Sequence, residues 1–387
     1  MPQPFDLREA LTYVVEQRAS DLHLAVGTGP MIRLDGELTP LPGDFERFTG
    51  EDLERHLLAI LTPEQRDRFL SELELDIAYS LGSLGRFRVN MYRQRNSMGA
   101  AFRFVDNTIR SLDELRMPAS LRDYAYLPRG MVLVTGPTGS GKSTTLAALI
   151  DVVNSERSCH IMTVEDPIEF LHRHKRSVVN QREVGTDTHS FASALKHVLR
   201  QDPDVILIGE LRDLESISVA LTAAETGHLV FGTLHTVDAA QSVDRIIDVF
   251  PPEQQGQIRT QLAGSLRGVI SQTLLRKIGG GRVVATEILK NTPAISNLIR
   301  EGKSHQIYSH LQSSGEQGMH TMDQSLAELV SKGVVEYDEA REKAGDMASF
   351  KMLAERGRPA AGADAMATAG MFFDDQFGAQ TGGRGGF

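Results

Sequence analysis

The chain has 387 residues, of which 41% are hydrophobic and 24% are charged, and it carries a formal net charge of −10. A chain of this length predicts two to three globular domains. The acidic balance argues against nucleic acid or an anionic lipid surface as the main partner. The single cysteine, Cys159, excludes an intramolecular disulfide and a cysteine-based zinc cluster. We expect its thiol to be buried and inert.

The N-terminal residues lack the pattern of a signal peptide. The sequence also contains no apolar run of about 18 residues, the length that a membrane-spanning helix needs. We therefore expect a cytosolic protein that does not insert into the membrane.

Residues 5–105 predict a separate α+β domain, because helical and alternating patterns succeed each other there. Apolar residues recur at helical spacing over 5–18. One or two further helices are predicted over 51–72, where Thr62-Pro63 marks a helix start. Alternation predicts strands over 21–25, 31–35, 76–79, 85–95 and 99–104. The predicted domain covers residues 1–105, and residues 106–117 are predicted to link it to the next.

Apolar strands alternate with helices over residues 118–345, within a predicted domain of residues 118–356. This pattern predicts an α/β domain with a parallel sheet and crossover helices. Strands are predicted over 131–134, 158–164, 204–209 and 229–234. The tail, 357–387, is rich in alanine and glycine and is predicted to be disordered.

The most informative stretch follows the first of these strands. Its sequence matches G-x-x-x-x-G-K-[ST], a loop that surrounds phosphates with backbone N–H groups and leads into a helix whose N-terminus attracts anions. Lys142 would supply a cation for the β- and γ-phosphates, and Ser143 a hydroxyl for Mg²⁺. The pattern predicts a nucleoside triphosphate site with these binding residues: Gly136, Thr138, Gly139, Ser140, Gly141, Lys142, Ser143 and Thr144.

Acids and histidines stand at the ends of the other strands, where a parallel sheet presents its ligand-binding edge. Glu165 and Glu210 each follow an apolar strand, and Glu210 takes the Walker-B position, where a carboxylate holds Mg²⁺. His228 and His235 bracket the strand at 229–234, and a histidine after such a strand can contact the γ-phosphate. Structural interpretations stay open. Both acids suit solvated loops or helix caps, and His228 suits a cap on the preceding helix.

A group of arginines follows the alternation of the strands between 85 and 104. Alternation places Arg86 and Arg88 on one face of a strand and Phe87 and Val89 on the other. Three interpretations are open: a solvated sheet face, a cationic face that reaches a phosphate across an interface as arginine fingers do, and a nucleic-acid surface. The members of the group are Arg86, Arg88, Arg93, Arg95 and Arg103.

These motifs together resemble the secretion and pilus motor ATPase superfamily, and specifically its twitching-motility (PilT-type) branch. The resemblance covers residues 5–345. It rests on an Asp box at 163–170, an atypical Walker B at 209–213 and a His box at 222–236. Segments 179–184 and 271–275 are also typical of this branch.

The resemblance implies a homohexameric ring of subunits, each with a PAS-like N-terminal domain and a RecA-like ATPase domain that bind ATP and Mg²⁺ between them. It also implies site roles. Lys142 and Ser143 would bind the phosphates and Mg²⁺, Glu210 would hold Mg²⁺, and Glu165 would activate the attacking water. His228 would contact the γ-phosphate. The roles of Glu165 and Glu210 are exchangeable at this level. Arg86 and Arg88 fall in the region of the transition-state arginine, without a choice between them.

The implied function is a motor that drives type IV pilus retraction, and hence twitching motility, through an inner-membrane platform protein. The motor would work at the inner face of the plasma membrane without inserting into it. Alternatives are an assembly or secretion ATPase, an accessory ATPase that works beside a paralogous pilus motor, a scaffold with little hydrolysis, and a RecA-like nucleic-acid translocase. We expect no nucleic-acid partner. The single cysteine argues against the assembly and secretion enzymes, which usually carry a tetracysteine zinc module.

Two features depart from the branch. Ser296 stands where the retraction ATPases carry arginine in the segment Ala294–Glu301. The change is interpreted either as a neutral replacement on a helix surface or as the mark of an accessory role. The tail is the second departure, and it is either a docking segment or without function.

Overall fold

A computed structural model describes residues 4–34, 36–82, 84–105 and 108–357. Two compact units emerge. The first runs to Val134 and includes Lys142–Leu234 and Gly264–Arg267. The second contains Thr135–Gly141, His235–Ala263 and the chain from Gly268 onwards. Within the described ranges, no helix combines the length and the apolar character that crossing a membrane requires.

The N-terminal part of the first unit is a six-stranded sheet with three helices. The chain order is α1 (Leu7–Glu16), β1 (Asp21–Leu24), β2 (Met31–Leu34), β3 (Glu37–Pro40), α2 (Gly50–Leu58), α3 (Pro63–Glu72), β4 (Glu74–Ser80), β5 (Arg86–Gln94) and β6 (Ser97–Val105). The strands follow the order β3-β2-β1-β6-β5-β4, and neighbours are antiparallel. The helices predicted over 5–18 and 51–72 are confirmed, and β3 is a strand that the sequence did not predict.

Local signals explain why these helices begin where they do. Asp6, Thr49 and Thr62 each accept a hydrogen bond from a backbone N–H of the first turn, which satisfies a donor that the helix itself leaves unpaired. Thr49 and Thr62 form full capping boxes. The core of this part is apolar, and Phe87 and Phe102 from adjacent strands are fully buried in it.

The rest of the first unit is an α/β arrangement. A 3-10 helix (Ala119–Tyr126) precedes β7 (Gly130–Thr135), α4 (Lys142–Glu156), β8 (His160–Glu165), β9 (Val178–Glu183), α5 (Phe191–Val198), β10 (Val205–Ile208), α6 (Leu214–Glu225) and β11 (Leu229–Leu234). The strands are ordered β7-β11-β10-β8-β9. The pairs β11/β10, β10/β8 and β8/β9 are parallel, which confirms the parallel sheet. Every residue of β7, β10 and β11 is buried, as expected for strands covered on both faces.

The second unit is mainly helical with one hairpin. It contains α7 (Ala239–Asp248), most of α8 (Pro252–Ser265) and of β12 (Leu266–Arg276), β13 (Arg282–Lys290), α9 (Pro293–Arg300), α10 (Ile307–Ser313), α11 (Met322–Ser331), α12 (Tyr337–Arg341) and α13 (Met347–Gly357). β12 and β13 pair antiparallel along their length, so the expectation of alternating parallel strands fails here. The prediction of a disordered tail lies outside the described residues except for Gly357, the last residue of α13.

Candidate active site

The phosphate loop occupies residues 136–141, between the end of β7 and the start of α4 at Lys142. Gly136 has φ of +142°, and a Cβ there would lie 2.2 Å from the carbonyl oxygen of Gln272. Only glycine fits a position that is both strained for other residues and pressed against backbone. Gly139 and Gly141 also have positive φ, +79° and +90°. The glycines therefore shape the loop for the reason that the motif predicts.

Gln272 of β12 supports this loop from within the second unit. Its Nε2 donates a hydrogen bond to the carbonyl of Ser140 at 2.7 Å. The Ser140 hydroxyl and the Gln272 side-chain oxygen are both buried without a hydrogen-bond partner in the described part of the chain. A buried polar atom normally has a partner, and a phosphate oxygen would supply one for the Ser140 hydroxyl. The loop thus fits a phosphate ligand, with Thr138 exposed and Thr144 half-buried at its two ends.

Lys142 and Ser143 begin α4. Burial lowers the pKa of the Lys142 ammonium, and the carboxylates of Glu210 and Glu169 oppose that fall. These carboxylates favour the charged form, which is the form that binds phosphate. Ser143 lines a cavity of about 30 Å³ together with Glu165 and Gly209, a space with room for one or two water molecules.

Glu165 is the last residue of β8. Its Oε1 accepts hydrogen bonds from the Thr163 hydroxyl at 2.7 Å and from Gln181 Nε2 at 3.2 Å. Burial nevertheless raises the pKa of this carboxyl, against the lowering effect of those donors. A carboxylate with a raised pKa beside a water-sized cavity has the properties of a general base.

Glu210 follows β10, and the glycine before it brings the two acids together. A Cβ on Gly209 would lie 3.2 Å from Glu165 Cα, so a side chain at 209 would push the strand ends apart. The Gly209 carbonyl accepts a hydrogen bond from the Thr233 hydroxyl of β11. The Glu210 side chain is 19% exposed and forms an ion pair with Arg212. The structure therefore brings Ser143, Glu165 and the Gly209-Glu210 strand end to one edge of the sheet.

His228 lies elsewhere. Its backbone N–H and its Nδ1 both donate to the Ala223 carbonyl near the end of α6, at 3.1 and 3.0 Å. Its own carbonyl accepts from the N–H of Gly130, the first residue of β7, at 3.0 Å. The length of a strand, about 16 Å, therefore separates His228 from the edge where β7 enters the phosphate loop. This geometry matches the helix-end alternative and not a γ-phosphate contact. His235 follows Leu234, the last residue of β11.

The arginines of β5 are engaged by carboxylates. Arg86 is 8% exposed and pairs with Glu183 of β9, whose carboxylate also accepts the Ile168 N–H at 3.0 Å. Arg88 is half-exposed and donates to Glu169 at 3.1 Å. A solvated face is therefore the wrong interpretation for Arg86. Both arginines contact either the segment that follows Glu165 or the residue that holds it.

Two other arginines of the group, Arg93 and Arg103, each have a partner of their own. Arg93 lies over the ring of Phe69, 5.9 Å from its centroid, and Arg103 donates to the Asp21 carboxylate at 2.9 Å. Nothing in these contacts favours a nucleic-acid surface.

Comparison with known proteins identifies the family. The profile described as Type II/IV secretion system protein matches residues 86–280, half of the chain. The chain belongs to this family. It is 50% identical to the type IV pilus retraction ATPase PilT of Pseudomonas aeruginosa over 88% of this chain and 98% of that protein. It is 38% identical to the type IV pilus ATPase PilU of the same organism, over 91% of this chain and 92% of that protein.

A solved structure supports the assignment. The crystal structure of the pilus retraction motor PilT with bound ADP matches with a TM-score of 0.85 and 45% identity, over 90% of this chain and all of that one. This member of the secretion family is therefore a PilT-type ATPase with a mixed α/β fold.

Two glutamines of this secretion-family ATPase were not predicted as site residues. Gln181 holds the Glu165 carboxylate, and Gln272 holds the phosphate loop. Both lie in segments, 179–184 and 271–275, that the sequence marks as typical of the branch. Neutral amides carry no local signature of catalysis, and their contacts are distant in sequence, so only the fold reveals their partners.

Proposed function

We propose that this chain is an ATP-hydrolysing motor that drives type IV pilus retraction. The proposal is carried by one observation. In a chain half identical to a retraction ATPase over nearly all of that protein, Ser143 and Glu165 line one water-sized cavity. The motor would be a homohexamer of subunits with a PAS-like N-terminal domain, 1–105, a linker, 106–117, and a RecA-like domain, 118–356. It would act on an inner-membrane platform protein from the cytoplasmic face.

The chemistry follows from the residues at the strand edge. Lys142, whose ammonium form Glu210 and Glu169 favour against the effect of burial on its pKa, would offset charge on the β- and γ-phosphates. Glu165 would take the proton of the attacking water, because burial raises the pKa of its carboxyl while the fixed donors orient it. The Ser143 hydroxyl and Glu210 would hold Mg²⁺, which uses few protein ligands besides phosphates and water and would supply charge neutralisation. We assign the γ-phosphate contact to His235 instead of His228, because His235 follows the carboxyl end of β11.

A second candidate, an accessory pilus ATPase, is favoured by Ser296. The Ser296 hydroxyl has two acceptors for its one proton, the Ala263 carbonyl at 2.9 Å and the side-chain oxygen of Asn291 at 3.0 Å. The Ser296 side chain is thus used in contacts inside the second unit. An arginine at this position would be longer and would carry a positive charge that the serine lacks. The identity to PilU is consistent with this candidate, in which a paralogous motor supplies the main force.

The test is a comparison of labelled surface filaments in host cells that carry the wild type, Lys142→Ala or the control Lys332→Ala. Lys332 is an exposed lysine that pairs with Glu328, so its removal tests loss of a lysine charge alone. We expect Lys142→Ala to abolish ATP turnover and retraction while filaments still extend. Loss of all filaments would indicate an assembly motor, and normal retraction an accessory role. ATP turnover that rises with added DNA would favour the translocase.

A further inference from the structure

One side chain of the neighbouring strand, Gln181, binds both the Glu165 carboxylate and the segment that follows it. β8 and β9 are parallel, with Thr163 opposite Gln181. Gln181 Nε2 donates to Glu165 Oε1 at 3.2 Å and to the Phe170 carbonyl at 2.8 Å. Gln181 Oε1 accepts the His172 N–H at 2.8 Å. Because the N–H must face an oxygen, these three bonds fix which end of the amide is which.

The three residues that Gln181 binds share a location. Glu165, Phe170 and His172 all line the cavity of about 30 Å³ that Ser143 also lines. Gln181 itself does not line this cavity, and it bonds none of the residues proposed to bind phosphate or metal. One half-buried amide therefore holds both the candidate base and two other walls of the space that the attacking water would occupy.

The Thr163 hydroxyl also donates to Glu165 Oε1, at 2.7 Å. It comes from the same strand two residues away, so it orients the carboxylate without restraining the segment that follows. The backbone of Glu169 also bonds this carboxylate. Gln181 adds a side chain that binds the carboxylate, the Phe170 carbonyl and the His172 N–H together. Catalytic groups lose much of their effect when they shift by even about 1 Å, so the joint restraint bears on the chemical step rather than on binding.

We propose that Gln181 is a positioning residue for ATP hydrolysis, which fixes the Glu165 carboxylate and the cavity wall around the attacking water. The inference rests on the proposed role of Glu165 as the base. It assigns to Gln181 an effect on turnover without an effect on nucleotide affinity.

The experiment uses the full chain with Gln181→Met, which keeps the length of the side chain and removes the amide. We expect kcat to fall about 10- to 100-fold, with unchanged KM for ATP and unchanged affinity for ADP. The matched control is Asn180→Leu, which removes an amide from the exposed side of β9, where the Asn180 side chain bonds His160. Unchanged kcat in Gln181→Met would overturn the inference.

A double mutant separates this inference from the proposed base. In a Glu165→Gln background, Gln181→Met should lower the residual single-turnover rate much less than it lowers the wild-type rate, because the carboxylate that it positions is already lost. A full additional loss there would overturn the inference. Glu165→Gln with wild-type turnover would instead refute the base assignment. If Gln181→Met unfolds, Gln181→Glu serves. It keeps the acceptor for His172 but sets a second carboxylate against Glu165, so kcat should fall at least as far.

Discussion

Two ion pairs on one strand make a matched test of what burial does to a charge. Arg86 and Arg88 stand two residues apart on β5. The Arg86 side chain is 10% exposed and its partner Glu183 is 9% exposed, whereas Arg88 and Glu169 are 44% and 42% exposed. Arg86→Met leaves the Glu183 carboxylate buried without a cation, and breaking such a pair costs about 3–5 kcal/mol. The Ile168 N–H still binds that carboxylate, which favours the lower end. Arg88→Met should cost about 0.2–1 kcal/mol.

The assay is urea unfolding followed by circular dichroism, since the chain has no tryptophan. The midpoint of the transition that includes β5 should fall clearly for Arg86→Met and barely for Arg88→Met. The double mutant Arg86→Met with Glu183→Gln should regain most of the loss, because a neutral amide oxygen still accepts the Ile168 N–H without a buried charge.

Equal midpoints for the two single mutants would refute the reasoning from burial. ATP turnover then decides which arginine acts on the phosphates. If Arg88 does so, Arg88→Met lowers kcat with unchanged stability, and wild-type kcat in that variant would exclude it.

The remaining predictions concern the phosphate loop, one buried acid and the departure at 296. Gly136→Ala should abolish ADP binding in calorimetry, because its Cβ would lie 2.2 Å from the Gln272 carbonyl oxygen. A Cβ at Gly139 would have free space around it, so Gly139→Ala should cost only about 1–2 kcal/mol of backbone strain. Equal losses of ADP affinity in the two variants would contradict the role given to the contact between residue 136 and Gln272. Burial raises the pKa of Glu287 to about 7, so the folded chain holds a proton that the unfolded chain releases, and stability falls as pH rises from about 4.5 to 7. Glu287→Gln should remove about 3 kcal/mol of the fall in the free energy of unfolding over this pH range. An unchanged pH dependence in unfolding titrations would exclude Glu287 as its cause. Ser296→Ala removes the hydroxyl proton that the Ala263 and Asn291 oxygens accept. It should cost about 1 kcal/mol with unchanged kcat, which thermal unfolding and a turnover assay together check.

The parts of the structure that the sequence predicted are those with local causes. Thr62-Pro63 predicts the start of α3 because the cap and the proline act within one helical turn. Glu165 and the 209–210 segment were expected together because the carboxyl ends of parallel strands share an edge, and Gly209 packs on Glu165 as that rule requires.

The parts that escaped prediction depend on contacts distant in sequence. His228 and His235 bracket β11 symmetrically in the sequence. His235 follows the strand, and the predicted parallel sheet already implies that it lies at the carboxyl edge, as the pairing of β11 with β10 requires. The assignment of the contact to His228 came from the resemblance and not from this rule. Alternation on β5 gave the face of Arg86 but not its partner, because Glu183 lies 97 residues further along the chain.

Two residues of β9 are expected to differ in what they contribute, one mainly to turnover and the other also to stability. Gln181 and Glu183 point from one face of this strand, and both hold the segment after Glu165: Gln181 through Phe170 and His172, Glu183 through the Ile168 N–H. Glu183 in addition carries the buried charge that Arg86 compensates. Removing Arg86 should therefore lower both the free energy of unfolding and kcat, whereas removing the Gln181 amide should lower kcat far more than stability. If both variants lost stability and turnover in the same proportion, the segment would act only as part of the packing, and the distinct role of the glutamine would have no support.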